Sequence, residues 1–142
     1  MARFAFRLQK VLEHRRREVD GAKLAVGRAA ELLADVERRL VALVAGAAKA
    51  VDACAGSVDD RLNLQAHLET VDAEARALEL ERKCCEEDLI RAQQELGARK
   101  ADLSAIEVLE EKDRQAWIYE EARREQNELD EWATMRRPSG AA

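Results

Sequence analysis

The chain has 142 residues, of which 37% are charged and 4% aromatic, with a single proline. Proline punctuates loops and aromatic rings fill thick cores, so this composition excludes a sheet-rich or many-looped enzyme and fits long helices packed along narrow apolar seams. Lysine and arginine number 24 against 29 acids, a net charge of −5, which argues against the whole molecule as a nucleic-acid binder.

The opening segment, MARFAFRLQKVLEHRRR, breaks its apolar residues with charge too often for a secretory hydrophobic region. The longest uncharged apolar run, Leu40 to Ala48, has nine residues including Gly46, against roughly 20 needed to span a bilayer. Cys54 and the adjacent Cys84 and Cys85 lack the spacing of a disulfide framework, so reduced thiols in a cytoplasmic protein are expected.

A seven-residue repeat runs from the start. One position set is Ala5, Leu12, Val19, Val26, Leu33, Leu40, Ala47 and Cys54; the other is Leu8, Arg15, Ala22, Ala29, Val36, Leu43 and Ala50. All but Arg15 are apolar and the intervening residues are largely charged or alanine, which predicts a coiled-coil helix over 4–54. Ala55 to Asp60 then gathers turn formers. Gly56 can take a left-handed helix-ending conformation and Ser57 or Asp59 can cap the next helix, predicting a reversal over 55–60. A second seam follows through Leu64, Leu68, Val71, Ala75, Leu78, Cys85, Leu89, Ala92, Leu96, Leu103 and Ile106. It fails at Arg82, Arg99 and Glu110 and continues raggedly through Leu109 and Ala116.

The predicted architecture is all-α: a single antiparallel coiled-coil hairpin over 1–137, with its second helix at 61–136 and a disordered tail at 138–142. Reversal near residue 57 requires partner numbers to sum to roughly 115, so the two seams match in length. At about 1.5 Å per residue the first helix spans roughly 75 Å and the second roughly 115 Å, leaving residues near 116–136 without an intramolecular partner. Trp117, Tyr119 and Trp132 lie there, and Phe4 and Phe6 lie beside its root. Trp117 and Tyr119 can close the open end over the phenylalanines or present a docking surface, and the two readings are compatible.

Charge gives the same end a polarity. Residues 1–17 carry six bases against Glu13, a net of +5, and residues 107–131 carry ten acids and four bases, a net of −6. These segments attract when side by side. Bases at a helix start oppose its macrodipole, so Arg3 and Arg7 point to a neighbour, either the acidic segment or another protein. Arg15, Arg16 and Arg17 have the same two readings.

The residues offer no catalytic constellation: no phosphate-binding glycine loop, nucleophile elbow, or HExxH or CxxC spacing. His14 lies one turn from Glu18, a weak metal pair at best, and is read as solvated; Cys85 is read as a seam filler and Cys84 as an idle thiol. Neither metal, cofactor nor small-molecule substrate is expected.

Both ends carry recognisable motifs. The opening F-x-F-R-L-x-x-V-L, formed by Phe4, Phe6, Arg7, Leu8, Val11 and Leu12 and followed by Arg15 to Glu18, resembles the start of the FliJ family of flagellar type III export proteins. Tyr119, Glu120, Arg124, Glu125, Gln126, Asp130, Glu131 and Ala133 resemble that family's closing signature. The resemblance implies a non-enzymatic, cytoplasmic component peripherally associated with the membrane-embedded export apparatus at the flagellar base. It implies a stalk-like hairpin that enters the ring of the export ATPase FliI and promotes its assembly, contacts the export gate protein FlhA, and handles flagellar export chaperones. Phe4, Phe6, Arg7, Leu8, Gln126, Asp130 and Glu131 match the motifs and, with Trp117 and Tyr119, form the expected ATPase-binding end. Relatives often carry aromatics in the hinge half; here nothing between Phe6 and Trp117 is aromatic, Leu62, Leu64 and Leu68 can provide an aliphatic substitute, and no gate-contact residues are assigned. An injectisome stalk, a self-pairing scaffold and, last, a holdase are the competing readings.

Much of the first seam is alanine, and Gly21, Gly27, Gly46 and Gly97 interrupt the helices. The isolated chain is therefore expected to melt below about 80 °C by circular dichroism, and a higher midpoint would contradict the narrow-seam reading.

Overall fold

The computed structural model describes residues 2–136. It contains two helices and, among the described residues, no strand: α1 (Gln9–Asp52, 44 residues) and α2 (Val58–Arg136, 79 residues). The predicted tail at 138–142 lies outside the described residues.

The helix ends differ from expectation for local reasons. α1 starts at Gln9 instead of residue 4, because residues 2–6 are non-helical and the Gln9 amide donates to the Phe6 carbonyl at 3.1 Å in a tight turn. The first turn of α1 contains no acid, and Arg3 and Arg7 would oppose the dipole of a longer helix. At the other end α1 stops at Asp52, two residues early, with the Cys54 amide donating to the Val51 carbonyl at 3.2 Å. Gly56 has φ 87°, a left-handed conformation that glycine adopts without steric cost. The Ser57 hydroxyl accepts the Asp60 amide at 3.1 Å, so Ser57 is the cap and α2 begins at Val58 instead of 61. Asp59 and Asp60 in its first turn complement the macrodipole.

The chain divides into two compact units, Val19–Arg99 and a second joining Met1–Glu18 to Lys100–Ala142. In the first, the repeat positions of α1 from Val19 to Ala50 are all buried or half-buried. On α2 the half-buried positions run Leu64, Leu68, Val71, Ala75, Leu78, Arg82, Cys85, Leu89, Ala92, Leu96 and Arg99, alternating steps of four and three. Arg82 and Arg99 thus occupy the seam although they break its apolar pattern. No residue of α2 is fully buried, as expected for a core one helix deep.

Polar residues lie in and beside that seam. Arg82 donates to Glu86 at 2.9 Å and to Glu79 at 3.1 Å through Nε. The Glu79 contact lowers the Glu79 carboxyl below its ordinary value and raises the guanidinium above its own, with Glu86 and Glu37 of α1 adding to the second effect. Across the helices, Arg39 reaches Glu81 at 3.8 Å. The expected register would put residue 76 opposite Arg39, so this contact lies about five residues further along α2 than that register places it. At the start of α2, beside the reversal, Val58 and Leu62 are exposed, 74% and 59%. Burial, with Glu81 and Asp88, pushes the Cys85 thiol up, whereas Cys84 is exposed.

Three outcomes follow from this packing. A Cβ added at Gly27 or Gly97 meets nothing within 4 Å, so Gly27→Ala and Gly97→Ala should each stabilise the chain by about 1 kcal/mol in urea melts. The Glu79 carboxyl is depressed in the folded chain, so its contribution is fully present above its ordinary value of 4.5 and is lost as pH falls through the folded value. Glu79→Gln should therefore flatten the loss of stability below that pH. Iodoacetamide followed by peptide mass mapping near neutral pH should label Cys84 before Cys85.

Candidate partner-binding end

In the second unit the N-terminal segment folds against α2 without joining α1. Phe6 is 7% exposed and Leu12 fully buried, while Ala5, a predicted seam residue, is exposed. Because residues 2–6 are not helical, the side chain that reaches the seam is that of Phe6. Leu8 is half-buried and Arg7 exposed.

Phe4 completes the arrangement. Its ring packs tilted on Trp117, with centroids 5.9 Å apart and planes at 56°, and the Arg114 guanidinium lies 5.5 Å from its centroid. The ring is thus held by an aromatic on one partner and a cation on another. Arg114 also bonds Glu110 at 3.1 Å, one turn back along α2. Its role was missed from the sequence, although a base three residues before a tryptophan shares that helix face.

The α2 seam does not fade where the pattern predicted. Beyond Leu103 and Ile106 the half-buried positions are Glu110, Asp113, Trp117 and Glu121, whereas Leu109 and Ala116 are exposed. The seam keeps its spacing and changes its chemistry from aliphatic to acidic and aromatic. Trp117 therefore has an intramolecular partner, and the unpartnered stretch begins later than residue 116. Every described residue from 122 to 136 is exposed.

Charge pairing of the basic start meets α2 before the predicted acidic stretch 107–131. Arg15 reaches Asp102 at 3.7 Å while donating to Glu18 at 3.0 Å. His14 also meets Glu18, at 2.8 Å. Arg3, Arg7, Arg16 and Arg17 are exposed and form no ion pair among the described residues.

The remaining predicted site residues lie along α2 away from the clasp. Tyr119 is 68% exposed. Gln126 donates to Asp130 at 3.1 Å, one turn apart, and Glu131 is exposed. Leu129 and Trp132, 60% and 54% exposed, line a shallow groove with Glu125 and Glu128, and the Arg136 guanidinium lies 4.0 Å from the Trp132 ring. The structure thus joins Phe4 to Trp117 and Gln126 to Asp130, but does not gather the nine residues into one patch. Among the described residues no group of three His, Cys, Asp or Glu can hold a metal ion, and no helix is long and apolar enough to cross a membrane.

A double-mutant cycle on Phe4→Leu and Trp117→Leu should give a coupling of about 1 kcal/mol in chemical denaturation, and additive effects would show that the ring contact contributes nothing. Phe6→Ala should cost more, about 3 kcal/mol, because that ring is buried.

The N-terminal clasp, the two long helices and the acidic C-terminal stretch fall within one family match: the model described as Flagellar FliJ protein covers residues 4–138. No curated protein and no solved structure matches the chain. A match spanning nearly the whole sequence, from Phe4 of the clasp to beyond the last described turn of α2, establishes that the chain belongs to the flagellar FliJ protein family.

Proposed function

We propose that the chain is a non-enzymatic component of flagellar type III export that binds the ring of the export ATPase FliI as a central stalk and promotes its assembly. The observation that supports this reading most is the exposed helical stretch over 122–136, which presents Leu129 and Trp132 beyond the clasp on α2. Aromatic and aliphatic side chains left outside their own fold are the usual anchors of an interface. Phe6, being buried, supports the surface from beneath; Tyr119, Gln126, Asp130 and Glu131 are the groups of the expected site that a ring subunit reaches directly.

The same protein would link the ATPase to the export gate protein FlhA and to export chaperones. The hinge end supports a gate contact through exposed Val58 and Leu62, beside a shallow groove lined by Arg61, Leu64, Gln65, Leu68, Glu69 and Asp72. Membrane association would then be peripheral, through the gate. The flagellar family match favours this system over an injectisome. A self-pairing scaffold joined end to end is favoured by the exposed Leu129 and Trp132.

Mixing the full chain with the export ATPase and following ATP hydrolysis together with assembly mass tests the proposal. Stimulated hydrolysis and a ring-sized complex are expected, with both lost on removing residues 122–142 and weakened about tenfold by Leu129→Ala with Trp132→Ala. Undiminished binding by the shortened chain would overturn the assignment of this end.

A further inference from the structure

The unit Val19–Arg99 has a second apolar surface that its own seam does not use. Val41, Val44 and Val51 are 70%, 62% and 49% exposed, and Ala45 and Ala48 are exposed between them. With Leu40 at the margin of the seam, Val41, Val44, Ala45 and Ala48 line a shallow groove made only of aliphatic side chains. Valine is a poorer helix former than alanine or the charged residues that fill most of the rest of the outer face, so helix propensity does not account for outward valines here.

The charges at the two ends of this surface complement each other in the sense required for self-pairing. Arg38, Val41, Ala45, Ala48 and Asp52 follow the three–four spacing of one helix stripe. Arg38 is 71% exposed and only 3.7 Å from Asp35, a carboxylate already held by Arg39 at 2.6 Å. Asp52 is exposed, forms no ion pair among the described residues, and ends α1, where a negative charge opposes the macrodipole. An antiparallel neighbour with the same stripe would place a cation at Asp52 and an anion at Arg38, and would do so twice.

We propose that the outer face of α1 between Arg38 and Asp52 is a weak pairing surface for a second, antiparallel copy of this chain, with Arg38 of each copy meeting Asp52 of the other. The two-fold arrangement is self-complementary: the apolar stripe of one copy covers that of the other, and both end charges are satisfied. A stripe of about four helical turns offers on the order of a few hundred Å² per chain, below the roughly 800 Å² per partner of a stable complex, so the dimer is reversible. This surface lies outside the residues assigned to ATPase binding, and its pairing is independent of Trp132.

Sedimentation equilibrium of the full chain alone, from about 1 µM to about 1 mM, tests the pairing without the ATPase. The mass should rise with concentration from 16.0 kDa toward twice that value. Val41→Glu with Val44→Glu should weaken association at least tenfold with helicity retained, since both side chains face solvent, and Trp132→Ala should leave it unchanged. Arg38→Asp and Asp52→Arg should each weaken it about tenfold, and the two changes combined should restore it, because the exchanged charges meet again across the two-fold. A mass constant at the monomer value, a dimer that survives the valine changes, or single charge variants without mutual rescue would overturn the proposal.

Discussion

A seam one helix deep is the constraint from which the other features follow. Half-buried positions alternate every three and four residues along α2, yet α2 buries no residue fully, and α1 with its N-terminal segment buries only Phe6, Leu12, Val19, Ala22 and Val36. Shallow apolar burial of this kind says little about register. Specificity has to come from polar groups placed in or beside the seam. Arg39 with Glu81, beside the seam, joins the two helices in the unit Val19–Arg99, and Arg15 with Asp102 does so in the other, while Arg82 in the seam is held by Glu79 and Glu86 of its own helix.

At the N-terminal end the repeat gives way to a different device. A helix start crowded with arginine is unfavourable, so the chain leaves helical geometry before Gln9 and uses the slack to turn Phe6 inward and lay Phe4 against Trp117. The clasp closes the seam with aromatic area where alanine and leucine would give little. Past Glu121 there is no α1 residue left to cover α2, and its side chains face solvent. Long polar helices survive such exposure through pairs one turn apart, and Arg124 with Glu121 and Gln126 with Asp130 supply them.

The sequence made the seam legible almost residue by residue, because heptad spacing fixes which positions face a partner whatever occupies them. Arg82, Arg99 and Glu110 looked like failures of the pattern and are seam residues nonetheless. Hydropathy alone misread Asp113 and Glu121 for the same reason, substituting Leu109 and Ala116, which keep apolar character but lose the phase. The register was out of reach, since it depends on the path of residues 53–57, and a glycine with a capping serine specifies a reversal without specifying its length. The Phe4–Trp117 contact was among the readings the sequence left open; the companion role of Arg114 required coordinates.

These properties suit the role proposed for this member of the FliJ family, a stalk gripped by the export ATPase. On that proposal a narrow seam would tolerate adjustment, and the exposed, acidic, aromatic-bearing helix end would give the ring something to hold. Hydrogen–deuterium exchange of the full chain, free and with the export ATPase, tests that account most directly. Amides over 118–136 should exchange fast in the free chain and become protected in the complex, while those of Val19–Arg99 change little. Protection confined to the hinge end, or none anywhere, would contradict it.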